Sequence, residues 1–562
     1  MNLKSLSYGD WAVFLIYFLI VASYGWWVYK RKHNADATSK DYFLAEGSLT
    51  WWAIGASLIA SNISAEQLIG ESGSGFKLGL AISTYEWMAA GTLIIVAVFF
   101  MPVYLKNKIF TMPQFLNQRY NGTVAMIMAV FWLALYIVVN LMSILYLGGL
   151  AISGISGYNL YLCMGFLSVF SIVIALGGMK VIGYTDVIQV FILIIGGLVA
   201  TYLALTLLAE KSGTSGLLNG LKVLRSQADD HFHMIFKKDN PNYMDLPGLT
   251  VLIGGMWITN LNYWGCNQYI TQRALGADLT TARSGILFAA VLKLLMPVIA
   301  VLPGIAAYEL YQKGMFHKEM LAHSGVLDVN KAYPSLLNLL PDGLKGLSFA
   351  ALTAAIVASL AGKVNSIATI FTLDVYKKAI KPEATDRQLV ILGKYSVAVA
   401  MLLGFILACI LGNGLMGEGK QGFQYIQEYT GFVSPGIFAM FILGFFWKKT
   451  TSNAALFATI GGFILSVAFK FLPYMVNLKF LASTGFSKLN GTIYEMPFLD
   501  RMGFVFIICV TGMYFISKRD NAKGITPNGL EIDASMFKTS KGFAWGAIIV
   551  CAIITVLYSI FW

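Results

Sequence analysis

Asn260, Tyr263, Trp264 and Asn267 are spaced i, i+3, i+4 and i+7, so on one helix they share a face. Gln424, Gln427 and Glu428 repeat the arrangement. Amides and carboxylates offer a polyol the paired donors and acceptors that its hydroxyls need. An aromatic plate suits the apolar C–H face of a pyranose. The competing reading is hydrogen bonding between apolar helices, worth about 0.6 kcal/mol on average. For an isolated Asn or Gln that reading is the stronger. For Tyr263 and Trp264 beside Asn260, the sugar site is.

Ionisable groups recur inside otherwise apolar runs: Glu66, Glu86, Asp186, Lys293, Lys363, Asp374 and Glu428. Each costs about 2.5–3.5 kcal/mol at the centre of a membrane helix, so the set marks pathways and partners. A second chemistry is cation binding. In ALTAAIVASLAGKVNSIATIF, residues 351–371, Ala355 and Ser359 lie one turn apart, and a carbonyl and a hydroxyl can converge there. On spacing alone, close packing through small residues explains that run better.

The elements that position these groups are membrane helices. Of 562 residues, 57% are hydrophobic and only 12% charged, against about a quarter charged in soluble domains. Mean hydropathy is +0.69. The apolar runs are about 20 residues long, which fits helices and not barrel strands. Fourteen spans are expected, at 9–30, 51–72, 78–105, 123–151, 158–177, 184–209, 248–270, 282–311, 343–378, 388–412, 423–447, 452–472, 499–517 and 541–561. The first is followed by Lys30, Arg31 and Lys32 without a small-residue cleavage site, so it reads as a retained span.

The net charge of +12 does not mean nucleic acid. Basic residues gather in alternate short loops: Lys30–Lys32, Lys106 and Lys108, Lys377 and Lys378, Lys448 and Lys449, Lys518 and Arg519. That is the positive-inside pattern, which places both termini outside the cell membrane. The five cysteines sit in apolar runs, so no disulfide framework is expected. His231 and His233 have no third metal ligand nearby and read as a solvated loop. The chain lacks a P-loop and a nucleophile–base set, which excludes an ATPase and gives no sign of a membrane enzyme. The longer loops 210–247 and 312–342 read as lids or short surface helices.

SNISAEQLIGESGSG, residues 61–75, puts polar residues and glycines where a span should be uniform. TNLNYWGCNQYITQR, residues 259–273, does the same five spans later. Interruptions at matching places in two halves predict an inverted repeat with discontinuous helices. Irregular backbone at that depth must face a cavity.

Several long segments carry a family resemblance. They are DYFLAEGSLTWWAIGASLIASNISAEQLIG (41–70), AISTYEWMAAGTLI (81–94), GYTDVIQVF (183–191) and NYWGCNQYITQR (262–273). GILFAAVLKLLMPVIAVLPGIAAY (285–308), FQYIQEYTGFVSPGI (423–437) and GFFWKKTTS (444–452) continue the series. Together they resemble the sodium:solute symporter (sodium/glucose cotransporter) family, most of all its bacterial sodium/galactose branch. The resemblance implies a LeuT-type, all-α membrane fold with a five-plus-five inverted repeat. The expected layout is one extra helix at 9–30, repeats at 51–209 and 248–447, and three C-terminal helices within 452–562.

It also implies sodium-coupled import of a hexose, galactose or glucose, with sodium as coupling ion and no other cofactor. No nucleic acid and no obligate protein partner are implied. Matching positions place the sugar against Asn62, Gln67, Glu86, Asn260, Lys293 and Gln427. Tyr263 resembles an inner gate that stacks on the sugar, with Trp264 beside it. Tyr85 and Phe423 resemble an apolar lid on the outer side. Sodium would sit among the carbonyls of Ala60, Ile63 and Ala355 and the hydroxyl of Ser359, with Asp186 on its exit path.

Three departures stand out. Ala358 precedes Ser359 where the family has two serines, Lys363 follows one turn later, and Ala89 replaces a serine of the sugar pocket. They keep open a proton-coupled symporter using Lys363 or a carboxylate, and a different solute such as a polyol or sialic acid. A non-transporting sugar sensor or a channel is the alternative from another class.

Overall fold

A computed structural model describes residues 6–32, 42–43, 49–64, 66–321, 325–416 and 421–562. Among them the regular structure is helical apart from one antiparallel hairpin, Lys488–Asn490 with Ile493–Glu495, and an isolated bridge between Leu321 and Leu327. The side chain of Glu66 lies outside the described set.

Ten described helices are long and apolar enough to cross a membrane. The pair Gly422–Thr430 and Ser434–Phe446, bent by 49°, makes an eleventh. The expected fourteen spans are not all matched by length, and the reason is physical. Trp51–Asn62 has 12 residues, Leu160–Ala175 has 16 and Gly255–Gly265 has 11. Twelve residues rise about 18 Å, well short of the roughly 30 Å hydrocarbon core.

Both expected interruptions exist. Helix Trp51–Asn62 stops at Ile63, whose backbone is extended (φ −76°, ψ 100°), and helix resumes at Glu66. Helix Gly255–Gly265 stops at Cys266, and extended Asn267 caps the next helix by accepting from Tyr269 N. The first break does not lie at Gly70, Gly73 and Gly75, where glycine content alone would put it. Those residues are helical. They are small because neighbours press on them. A Cβ on Gly70 would meet Phe423 Cβ at 2.8 Å, one on Gly73 would meet Val329 O at 2.8 Å, and one on Gly75 would meet Val301 O at 2.6 Å.

Leu344–Ile380 forms the centre, 94% of its most apolar window being buried. Helix Gly178–Lys211 lies along it, and Trp51–Asn62 packs on both Gly178–Lys211 and Leu279–Ile299. The last contact is very close: a Cβ on Gly55 would meet Gly285 O at 2.6 Å. That approach brings the end of one broken helix beside Lys293.

Loop 210–247 carries a helix, Leu217–Gln227, and a 3-10 turn, Asp229–Phe232. His231 is not solvated. It is buried, its Nε2 lies 3.1 Å from Phe76 O, and its ring stacks on Tyr308 at 4.0 Å. Gly79, at φ +70°, makes the turn that lets His231 in. Loop 312–342 carries the short helix Ala332–Leu337.

Candidate functional site

The two breaks face one cavity. Asn62, Gln67, Tyr85, Glu86, Asn260, Tyr263, Trp264, Lys293, Phe423 and Gln427 all line it, as does Ala89. Each comes from a different packing decision. The first broken helix gives Asn62 and Gln67 on either side of its gap. Helix Thr84–Ile95 gives Tyr85 and Glu86 in its first turn. Leu279–Ile299 gives Lys293, and Gly422–Thr430 gives Phe423 and Gln427.

A charged network forms the polar wall. Lys293 Nζ donates to Glu86 Oε2 at 2.5 Å and also to Asn62 Oδ1. Gln67 Nε2 donates to Glu86 Oε1 at 2.9 Å and to Glu71 Oε1 at 3.0 Å. Asn62 Nδ2 donates to Tyr263 Oη at 3.2 Å. Lys293 and Glu86 are both closed to solvent, so each needs the other. The aromatic wall is Tyr263 against Trp264, edge to face at 5.2 Å, with the Lys293 ammonium 5.2 Å from the Trp264 ring. Asn260 Nδ2 is buried with no hydrogen-bond partner among the described residues, an open donor for a ligand.

On one side the cavity is shut. Tyr85 and Phe423 meet edge to face at 5.0 Å, and Tyr85 Oη donates to Gln424 Oε1 at 3.2 Å. Beyond that seal lies a second, open depression of about 300 Å³ lined by Asp245, Gln424, Glu428 and Arg501. Asp245 accepts from Gln421 there and sits 3.6 Å from Lys77. Loss of water holds its carboxyl above the usual aspartate range despite that lysine.

Two spacing arguments need correction. Asn267 is on the cavity but not on the helix of Asn260, because the chain breaks at Cys266 between them. Glu428 and Gln424 do not share the cavity with Gln427. They face that second depression, where Glu428 is held by Lys470 at 2.7 Å and by Arg501. Asp374 likewise pairs with Lys378 at 2.6 Å.

The residues expected to hold a cation lie where the first broken helix crosses Leu344–Thr369. Ser359 Oγ donates to Ser61 O at 3.1 Å and lies 3.1 Å from Tyr269 Oη. Ala60, Ile63 and Ala355 are buried beside it. Lys363 is buried too, its ammonium 5.0 Å from the Tyr269 ring, and it lines the cavity. Asp186 is fully buried, accepting from Ser57 Oγ at 2.5 Å, with Arg273 Nη2 3.9 Å away. Spacing missed Tyr269 and Arg273, which belong to the short helix after the second break. Glu71 also went unnoticed, although it stands in the polar stretch 61–75.

A sodium/glucose cotransporter of Vibrio parahaemolyticus is 44% identical to this chain, covering 99% of both chains. The human sodium/myo-inositol cotransporter 2 is 35% identical over 83% of this chain and 70% of its own. The fold is similar to that of a Na+-coupled sialic acid symporter in its substrate-bound outward-open state. The TM-score is 0.73 at 20% identity, over 91% of this chain and 98% of that one. That likeness is one of architecture, the LeuT-type inverted repeat. Residues 42–462 match the sodium:solute symporter family. A multi-pass membrane chain with this fold, this match and these full-length relatives belongs to the sodium:solute symporter family.

Proposed function

We propose that this chain imports a hexose, galactose or glucose, with sodium as the driving ion, by alternating access. The observation that carries the reading is the network Asn62–Lys293–Glu86–Gln67, set across one cavity from Tyr263 and Trp264. It offers a sugar donors and acceptors on one side and rings on the other. Asn260, Gln427 and the lid pair Tyr85–Phe423 complete the site.

Sodium is held by the carbonyls of Ala60, Ile63 and Ala355 and by Ser359, and leaves past Asp186. A cation there ties Trp51–Asn62 to Leu344–Thr369 and steadies the gap after Asn62. Coupling follows because each ligand shifts the equilibrium only by preferring one state. The membrane potential adds about 2.3 kcal/mol per charge per 100 mV.

The repeats 51–209 and 248–447 rock against each other around the two breaks. Both termini lie outside, in the cell (inner) membrane. The alternating basic loops support that orientation, as does the contact between loop 210–247 and the last residues, where Met234 N donates to Phe561 O at 2.7 Å.

The test is uptake of labelled galactose and glucose into proteoliposomes under an imposed sodium gradient, with a proton gradient as the comparison. Sodium-driven accumulation is the expected result. Accumulation driven by protons alone, or none of either sugar, overturns the reading.

A further inference from the structure

Glu71 is fully buried and lies outside the cavity lining, behind the polar wall, where its one contact with that wall is the Gln67 amide. Its Oε1 takes one hydrogen of the Gln67 amide while Glu86 takes another contact from the same nitrogen. The two carboxyl groups therefore stand within the roughly 4–6 Å at which like charges suppress each other. Glu71 Oε2 has no hydrogen-bond partner among the described residues.

The charges around Glu71 compensate it only in part, because the one ammonium nearby is shared with Glu86. Lys293 is committed to Glu86 and Asn62. Tyr85, on the helix of Glu86, donates to Gln424. From Gly422–Thr430, Glu428 is held by Lys470 and Arg501. From the turn 329–331, Lys331 reaches the Leu321 carbonyl, and Asp328 accepts from Asn330. Lys77, six residues onward, pairs with Asp245. Tyr146 and Tyr333, from the helices Met142–Ser156 and Ala332–Leu337 packed alongside, bring no cation. Two carboxyl groups and one ammonium thus share a dry site, and an uncompensated buried charge is strongly disfavoured.

We infer that Glu71 is a proton-binding site of the closed outer gate: it takes a proton from the outside when the gate shuts and returns it to the outside when the gate opens. Gly70, its chain neighbour, packs directly on Phe423, so parting Phe423 from Tyr85 brings water to Glu71. The proton never crosses the membrane. It makes occlusion depend on outside pH while sodium remains the driving ion. This rests on the hexose and orientation readings above.

Linkage sets the sign. The closed, sugar-bound state carries one proton more than the open state. The KM for outside sugar therefore rises with outside pH, approaching tenfold per pH unit between the open and closed pKa values of Glu71. Sodium-driven uptake should be measured from about pH 5 to about pH 9, the range buried glutamates reach. Wild type is expected to show that rise, and Glu71→Gln and Glu71→Met a KM independent of pH. A dye for internal pH should report no net proton entry. A flat wild-type profile, an unchanged slope in the variants, or stoichiometric proton entry overturns the proposal.

A second readout needs neither a variant nor the right sugar. A hydrophobic carbodiimide couples to protonated carboxyl groups, and peptide mass spectrometry locates the product. Modification at Glu71 that fades as pH rises is expected. Its absence at every pH overturns the proton site, whereas absent hexose uptake alone counts only against the substrate.

Discussion

The Lys293 ammonium lies 2.5 Å from Glu86 Oε2, with both side chains closed to solvent and Asn62 on the far side of the amine. Removing one member leaves a buried unpaired charge. Lys293→Ala should therefore lower stability by about 3–5 kcal/mol, visible as a fall in Tm, and stop uptake. The double variant Lys293→Ala, Glu86→Ala should regain much of the Tm and none of the uptake. Recovery of transport in the double variant would assign the pair to architecture alone.

Gln67 and Asn260 both bring amide groups to the cavity, one within the network and one with an open donor. Gln67→Ala and Asn260→Ala should each reduce hexose uptake by about 10–100-fold, as expected for leaving buried partners unpaired. Immunoblots should show normal amounts of protein in the membrane. Ordinary uptake by both variants counts against this cavity as the sugar site.

Ala358 and Ser359 are both buried in the helix facing Ser61. Adding a hydroxyl by Ala358→Ser should lower the sodium concentration for half-maximal uptake by about fivefold, one hydrogen-bond-sized contribution of about 1 kcal/mol. Ser359→Ala should raise it by a similar factor. A sodium dependence unmoved by either change places the ion elsewhere.

Asp245 has a folded-state carboxyl raised above its ordinary value by burial. The stability that its proton contributes is fully present below about pH 4 and is lost as pH rises through the raised value. Asp245→Asn imitates the protonated form. Its Tm should exceed wild type near about pH 8, and the two should converge near about pH 4. A gap that stays constant with pH would show that Asp245 does not titrate differently on unfolding.

Glu86, Asn260, Tyr263, Trp264, Lys293 and Gln427 were legible because amides and charges inside apolar runs are costly enough to be conspicuous, whereas Asn62, Gln67, Tyr85 and Phe423 were placed by the family resemblance. Their assignment to helix faces was less so. The i, i+7 relation of Asn260 and Asn267 assumes an unbroken ladder, and the ladder breaks at Cys266. Glu428 sits one residue from Gln427, yet the helix turns it toward Lys470 and Arg501. Glycines 70, 73 and 75 looked like flexibility. Only the neighbours Phe423, Val329 and Val301, distant in sequence, reveal them as close contacts. His231 is hidden for the same reason, its partner Phe76 lying 155 positions away. Length alone matches ten or eleven of the expected spans, because hydropathy measures composition and cannot see where a helix is cut.

Those cuts have a mechanical consequence. An intact helix is stiff, so a hinge and a binding site in one are usually distinct places joined by some lever. Here the severed hydrogen-bond ladders at Ile63 and Cys266 border the same cavity that gathers Asn62, Asn267 and Tyr263. Fulcrum and load coincide. Force exerted by a bound solute acts on the pivot itself, and no relay through the rest of the molecule has to carry it.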